Sequence, residues 1–448
     1  MTIERREWVL VGLACLLLVA AFWGTGWTSP WILPDTVGYL EIAPYPAFFF
    51  APRAPFYGWL VAGLGGEPRG FEPAVWVHIL VHISAAASLY AGARHVGMGK
   101  HAAAALFLAA LTSQNFLIYG RGIVPEALAM SFALLAMAAT LVAVRATHWT
   151  LFAAAAGLAA AVSYVLRPTF LPLIVMLPLL YAAAACLTSR SPSLRRALAL
   201  LIGAAVPFLA YSGERMRHTN DFNLVSYGGF VMSGMAGFML SDSIVQQFPP
   251  QGRDLAAQIL ATRERLEAEG RVARTPLNSA GERSFLSAAA GYFDIYVRSY
   301  DELVHNGIRQ LQQPGESWIA FDRRLRGFAI STIWLAPDRY VAWVVGASSR
   351  LVGRMLVTNG PFLVAWIGLL VMLLRTLRHP TAIRSLGGSP DTLLLAAIVG
   401  IYVLAHAPLI VLITVPSSRY IDASAVLLPA LPFYAAFRLA SALRRGPP

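Results

Sequence analysis

Runs of close to twenty apolar residues recur along this chain, separated by short polar turns, and that recurrence restricts the fold more than any other feature. About twenty residues is the length an α-helix needs to cross the ~30 Å hydrocarbon core of a bilayer. With no water inside that core, each crossing segment has to satisfy its own backbone hydrogen bonds, so such a chain folds as a set of helices. The composition fits, with 57% of the 448 residues hydrophobic and only 13% charged, whereas a soluble domain carries about a quarter charged residues. The sequence therefore predicts an all-α polytopic helical membrane protein. Spans are expected near 8–27, 74–93, 102–119, 126–144, 149–166, 168–187, 197–211, 361–374, 392–414 and 421–440, about ten transmembrane helices in all. The first is read as a retained signal anchor, because the basic start MTIERREW leads into an apolar run with no small-residue cleavage site behind it. Cys15 and Cys186 both lie inside apolar runs, which excludes a disulfide framework and a zinc knuckle.

The net charge of +12 suits nucleic acid in a soluble protein. In a membrane protein it reads as the gathering of basic residues at cytoplasmic loop ends, and no nucleic-acid partner is expected. Arg94 with Lys100, then Arg145, then Arg190, Arg195 and Arg196, then Arg375, Arg378 and Arg384, then Arg438, Arg444 and Arg445 all fall on one side of the ten-span arrangement. Both termini are then cytoplasmic, in a bacterial inner membrane. Three regions follow: an N-terminal transmembrane module over 1–212 with a first outer loop at 28–72, an outward-facing helical region over 213–357, and a C-terminal transmembrane module over 358–448. Within the middle region, 252–270 and 282–312 have amphipathic helical spacing, separated by a loop around Pro276, Asn278 and Gly281. Pro337 breaks the stretch after residue 320 into two short helices, expected at the outer interface and not across the membrane.

That topology leaves four arginines in outward turns, where the charge bias does not want them: Arg53, Arg121, Arg167 and Arg419. Each ends a different span or loop, so a bundle can bring them round one cavity, and the planar guanidinium fork suits a phosphate. The alternative for each is an arginine that snorkels to head groups or caps a helix end. Two carboxylates have the same double reading. Asp35, after Pro34, is either the N-cap of a helix beginning at Thr36 or a catalytic acid at a membrane mouth. Glu126, after Pro125, either complements the dipole of the helix it opens or belongs to the site. Glu41 does not share a helix face with Asp35, so the two are not a metal pair. His78 and His82 are spaced like a metal half-site but have no acidic partner nearby, and a buried hydrogen-bonded pair is the better reading, as it is for His406. The glycine pairs lie in no strand-to-helix context, and there is no phosphate-binding loop motif or nucleophile elbow.

The order of these residues resembles the GT-C superfamily of polytopic glycosyltransferases, in the branch of protein mannosyltransferases and the aminoarabinose transferase of lipid A. That pattern has an acid shortly after the first span, then a Tyr, then R-x-P-x-Y; here stand Asp35, Tyr39 and Arg53-Ala54-Pro55-Phe56-Tyr57. A later span opening with P-E is matched by Pro125-Glu126, and an R-P exit by Arg167-Pro168. The phrase RHTNDFNLVSYGGFVMSG (217–234) and the start of SRYIDASAVLLPALP, with Arg419 and Tyr420, are also similar. The chain departs from the pattern in having a single acid at the first position and no outward lysine, since Lys100 is its only lysine. A divalent metal is therefore not supported, and no cofactor is expected.

The resemblance implies transfer of a sugar from a polyprenyl-phosphate donor to a lipid, glycan or protein acceptor of the cell envelope. It implies Asp35 as general base, with Arg53, Arg121, Arg167, Arg419, Tyr39, Tyr57, Glu126 and Tyr420 around the lipid phosphate and substrate. A transporter or flippase of a lipid-linked or anionic substrate would use the same arginines without a base, and an O-antigen polymerase or ligase is the second alternative.

Overall fold

The computed structural model describes residues 3–66, 70–273, 299–376, 389–413 and 417–444. The loop expected around Pro276, Asn278 and Gly281, the first part of the 282–312 helix, and Arg378, Arg384 and Arg445 lie outside them. The described residues are mostly helical, with no strand beyond one isolated bridge between Trp31 and Gly122. The helices that carry the argument are α1 (Arg5–Gly24), α2 (Thr36–Leu40), α3 (Phe56–Gly63), α4 (Glu72–Val96), α5 (Lys100–Leu111), α6 (Gln114–Tyr119), α7 (Glu126–Ala143), α8 (Trp149–Leu166), α9 (Leu173–Leu187) and α10 (Leu194–Thr219). They continue with α11 (Gly228–Met239), α12 (Asp242–Gln247), α13 (Pro250–Ala268), α14 (Trp318–Leu335), α15 (Pro337–Val357), α16 (Gly360–Thr376), α17 (Pro390–Ile413), α18 (Ser418–Ser424) and α19 (Ala430–Arg444).

Among the described residues, 8 helices are long and apolar enough to cross a membrane. They match the first seven expected spans and the 392–414 span. The expected 361–374 span is the second half of a pair, α15 and α16, that meets the test only as one segment bent by 57°. The expected 421–440 span is broken into α18 and α19. Pro429, immediately before α19, has no backbone N–H to continue a helix. Residues 327–357 also form longer helices than expected, since Pro337 occupies the first turn of α15, where a missing N–H costs nothing.

Burial sorts the helices. α7 has 78% of its apolar window buried, against 11% for α1 and 17% for α10, so α7 is the central post and the other two face lipid. α4, α8 and α9 pack round α7. Where α8 crosses α10, a Cβ on Gly157 would lie 2.5 Å from the Gly203 carbonyl carbon, so two bare backbones allow the contact, as small residues do between membrane helices. α1 is tied back at the arginine-rich end, where Glu7 accepts from Arg94 at 3.1 Å and from the Tyr90 hydroxyl at 2.7 Å.

A second core forms from α11 to α15 with residues 300–308, and it includes Phe230, Phe238, Phe248 and Phe321. Arg215, buried in the last turns of α10, donates to Asp221 at 2.6 Å, to Ser226 at 2.5 Å and to the Phe49 carbonyl at 3.2 Å. That one side chain joins the 28–72 loop to the segment entering α11. The loop is also stitched to the α6–α7 turn: Trp31 N donates to Arg121 O at 2.9 Å, Ile123 N to Trp31 O at 3.0 Å, and the Trp27 indole to Leu117 O at 3.0 Å. These bonds bring Asp35 to the mouth of α7.

Candidate active site

Asp35 stands immediately before α2, in the N-cap position, but its side chain makes no capping hydrogen bond. Thr36 instead accepts from Leu33 N at 2.9 Å, which leaves the Asp35 carboxylate to turn outward. Arg53 donates to Asp35 Oδ1 at 2.8 Å and to the Asp35 carbonyl at 2.7 Å, while Arg419 reaches Asp35 Oδ2 at 2.6 Å. Arg419 also lies 3.0 Å from Glu126 Oε1, which accepts from Arg167 as well. One chain of charge therefore runs Arg53, Asp35, Arg419, Glu126, Arg167. The first three side chains are 20%, 31% and 21% exposed, and the last two are 1% and 6% exposed, so the chain starts at an open edge and ends in the bundle.

Tyrosines line it. Tyr39 lies under Arg53 with its ring 4.2 Å from the guanidinium carbon, and its hydroxyl accepts from Arg167 at 3.3 Å. Tyr420 lies against both Arg167 and Arg419, at 4.9 and 5.7 Å. Tyr57 is buried one layer down, edge-on to Tyr39. Because His78 Nδ1 donates to Gly120 O at 2.8 Å, its Nε2 is the atom that accepts from the Tyr57 hydroxyl at 3.3 Å. Close packing holds the floor in place: a Cβ on Gly58 of α3 would sit 2.7 Å from Tyr39 O.

The electrostatics follow from this geometry. Burial pushes the Asp35 carboxyl up, but Arg419 and Arg53 outweigh it and hold the group at about 2. Burial works against the Arg53 and Arg419 charges, yet both are held above the ordinary range, with Asp35 among the groups responsible for each. Among these five linked side chains three guanidiniums stand against two carboxylates, an excess of one formal positive charge. Glu126 Oε2 is buried and has no hydrogen-bond partner among the described residues, so one acceptor inside the site is unused.

Eight of the nine sequence candidates thus fall together. Arg121 does not join them: its guanidinium lies over the Trp31 ring at 5.7 Å, at the seam between the loop and α7. Tyr227 was not singled out from the sequence, although it lies inside the 217–234 phrase. It stacks on Trp318 and hydrogen-bonds Arg53, and burial pushes its hydroxyl up to about 12. Asp301 and His305 also act electrostatically on the Asp35 cluster from the second core, and burial raises the pKa of the first and lowers that of the second. Their only sequence signal was an amphipathic spacing, which does not separate a site-facing residue from a solvated one. His78 and His82 are fully buried and hydrogen-bonded, His82 between Ser131 and Leu111 O and stacked 3.7 Å from Phe116. His406 is buried too and donates to Tyr402 O at 2.8 Å. Among the described residues no three His, Cys, Asp or Glu side chains gather as metal ligands.

No family model matches the chain, and no curated protein matches it. Among solved structures, the crystal structure of ArnT from Cupriavidus metallidurans bound to undecaprenyl phosphate is similar to it, with 16% identity and a TM-score of 0.34, over 99% of this chain and 79% of that one. A likeness of that degree says nothing about the residues of this chain.

Proposed function

We propose that the chain is an integral membrane glycosyltransferase that moves a sugar from a polyprenyl-phosphate donor to a cell-envelope acceptor, on the outer face of the cytoplasmic membrane. The observation that carries this reading is the clamp of Arg53 and Arg419 on the half-open carboxylate of Asp35, with a third arginine behind it. The order of motifs along the sequence points the same way.

The charges suit such a transfer. A sugar phosphodiester carries one negative charge, which the excess positive charge of the site balances. The acceptor hydroxyl attacks the anomeric carbon, the bond from that carbon to the phosphate oxygen breaks, and the polyprenyl phosphate leaves with the electron pair and a second negative charge. If the hydroxyl proton passes to Asp35 in the same step, the site gains the positive charge that balances it. Fixed guanidiniums at a developing oxyanion act without reorganisation, which makes this kind of stabilisation large.

A carboxyl held at about 2 is a weak base. Its two arginines are also the groups a donor phosphate would engage. As they turn to the phosphate, Asp35 loses its counter-charges and its basicity rises, so the base becomes competent when the donor is in place. The unused Glu126 Oε2 is an acceptor for a sugar hydroxyl or for an arginine that has left Asp35.

Product analysis tests this reading. The purified full chain, given a polyprenyl-phosphate-linked sugar and membrane-derived acceptor, is expected to release polyprenyl phosphate and form a new glycosidic bond with inverted configuration. Movement of the intact lipid-linked sugar across the bilayer, with its bond to phosphate uncut, would contradict it.

A further inference from the structure

The end of α7 remote from Glu126 carries a second cluster of positive charge that the proposed chemistry does not use. The turn from α7 to α8 and the turn from α9 to α10 border a half-open cavity of about 440 Å³ there, walled by Arg145, Arg190, Arg195, Arg196, Trp149 and Tyr181. Among the described residues no carboxylate lines it. Arg196 is engaged with backbone, donating to the Ala143 and Val144 carbonyls at 2.9 and 2.7 Å, where it caps the end of α7. Arg145, Arg190 and Arg195 are exposed and face the cavity with no acidic neighbour in its wall. The Trp149 ring lies 5.4 Å from the Arg195 guanidinium and 5.6 Å from that of Arg196, which orients both. The Tyr181 hydroxyl accepts from Ser193 N at 3.0 Å and so pins the arginine-bearing turn against α9.

An arginine that only sets topology sits at a helix end in open water or among head groups. Here Arg190 and Arg195 line a half-open, aromatic-walled space beside Arg145, whose guanidinium packs on Gly97, and like charges gathered round one space repel unless an anion joins them. We propose that this cavity binds a phosphate group, at the membrane face opposite the Asp35 site. The forked donors match the tetrahedral oxygens of a phosphate. α7 spans 18 residues, so the two sites stand about 27 Å apart along its axis, the thickness of a bilayer core. An anionic lipid head group of that leaflet and a soluble phosphate compound share this chemistry.

The test uses the full-length protein purified in detergent, with Arg190→Ala/Arg195→Ala as the variant and Arg375→Ala/Arg444→Ala as a control that removes the same charge at other helix ends. Phosphatidylglycerol is added to the micelles and its retention is read by native mass spectrometry. In a parallel arm, inorganic phosphate is added at constant ionic strength and thermal unfolding is read. Retention of phosphatidylglycerol by wild type and control, at least about tenfold weaker in the cavity variant, identifies a lipid head group. Protection by inorganic phosphate that the cavity variant loses and the control keeps, without selective lipid retention, identifies a soluble phosphate. If the cavity variant behaves as wild type in both arms, or the control loses as much as it does, the proposal is overturned. Arg195→Gln alone, which keeps a polar side chain at an exposed position, covers the case in which the double variant does not fold.

Discussion

Replacing Arg419 by Ala removes the side chain that joins the two carboxylates of the site, Asp35 at 2.6 Å and Glu126 at 3.0 Å. Glu126 keeps Arg167 and Asp35 keeps Arg53, so neither acid is stranded and the fold is expected to survive. Two consequences can be sized. The Asp35 carboxyl is held down from 3.8 to about 2, a drop of about 1.8 pH units worth ~2.4 kcal/mol. With its side chain 31% exposed, solvent reduces that to about 1–2 kcal/mol. Its folded value is depressed, so this contribution is present above pH 3.8 and is lost as pH falls through about 2. Arg419→Ala gives up part of it. The larger effect is on the donor, where one charge-assisted contact to phosphate is worth about 1.5–3 kcal/mol, a roughly 10- to 150-fold rise in donor KM. Steady-state kinetics against a polyprenyl-phosphate sugar, beside thermal unfolding of the same preparation, measure both. A donor KM within twofold of wild type in a folded variant would refute the phosphate role of Arg419.

Three further outcomes are expected. The acid limb of kcat, which reports the donor-bound enzyme, should lie above that of kcat/KM for the donor, which reports the free enzyme; coincident limbs would mean that the donor does not release Asp35 from its arginines. Arg167→Ala leaves the buried Glu126 with Arg419 alone and should cost about 1–3 kcal/mol, whereas adding Glu126→Gln should recover part of it; no recovery in thermal unfolding would place the cost elsewhere. Gly229→Ala puts a Cβ against the Asp322 carbonyl oxygen and should lower stability by about 1–3 kcal/mol by pushing α11 off α14; an unchanged melting temperature would mean that this contact yields freely.

The transmembrane layout was legible because each span announces itself locally, by the length and apolarity of one run. Seven of the first seven spans needed nothing else. The last third was harder for a physical reason: Pro429 and the bend between α15 and α16 interrupt apolar stretches whose composition alone reads as continuous. In the site, Asp35, Arg53, Arg167 and Arg419 stood out because charge is costly where they lie, and that cost is visible in sequence. Their partners were not. That Arg419 bridges Asp35 and Glu126, that Arg121 turns to Trp31 instead, and that Arg215 ties Phe49 to Ser226 depend on contacts between residues up to hundreds of positions apart. Tyr227 joins the site through Arg53 and Trp318, residues distant in sequence, and so its role is a property of the fold and not of the phrase that contains it.

The most direct test of the central claim is Asp35→Asn, assayed for transfer from a lipid-linked donor under saturating donor and acceptor. Asparagine keeps the shape and the contacts of the carbonyl oxygen but cannot take the hydroxyl proton. Turnover is expected to fall by roughly 10²–10⁴-fold, with donor binding unimpaired, because Arg53 and Arg419 remain free to hold the phosphate. Turnover near that of wild type would remove Asp35 as the base and with it the account given of the clamp.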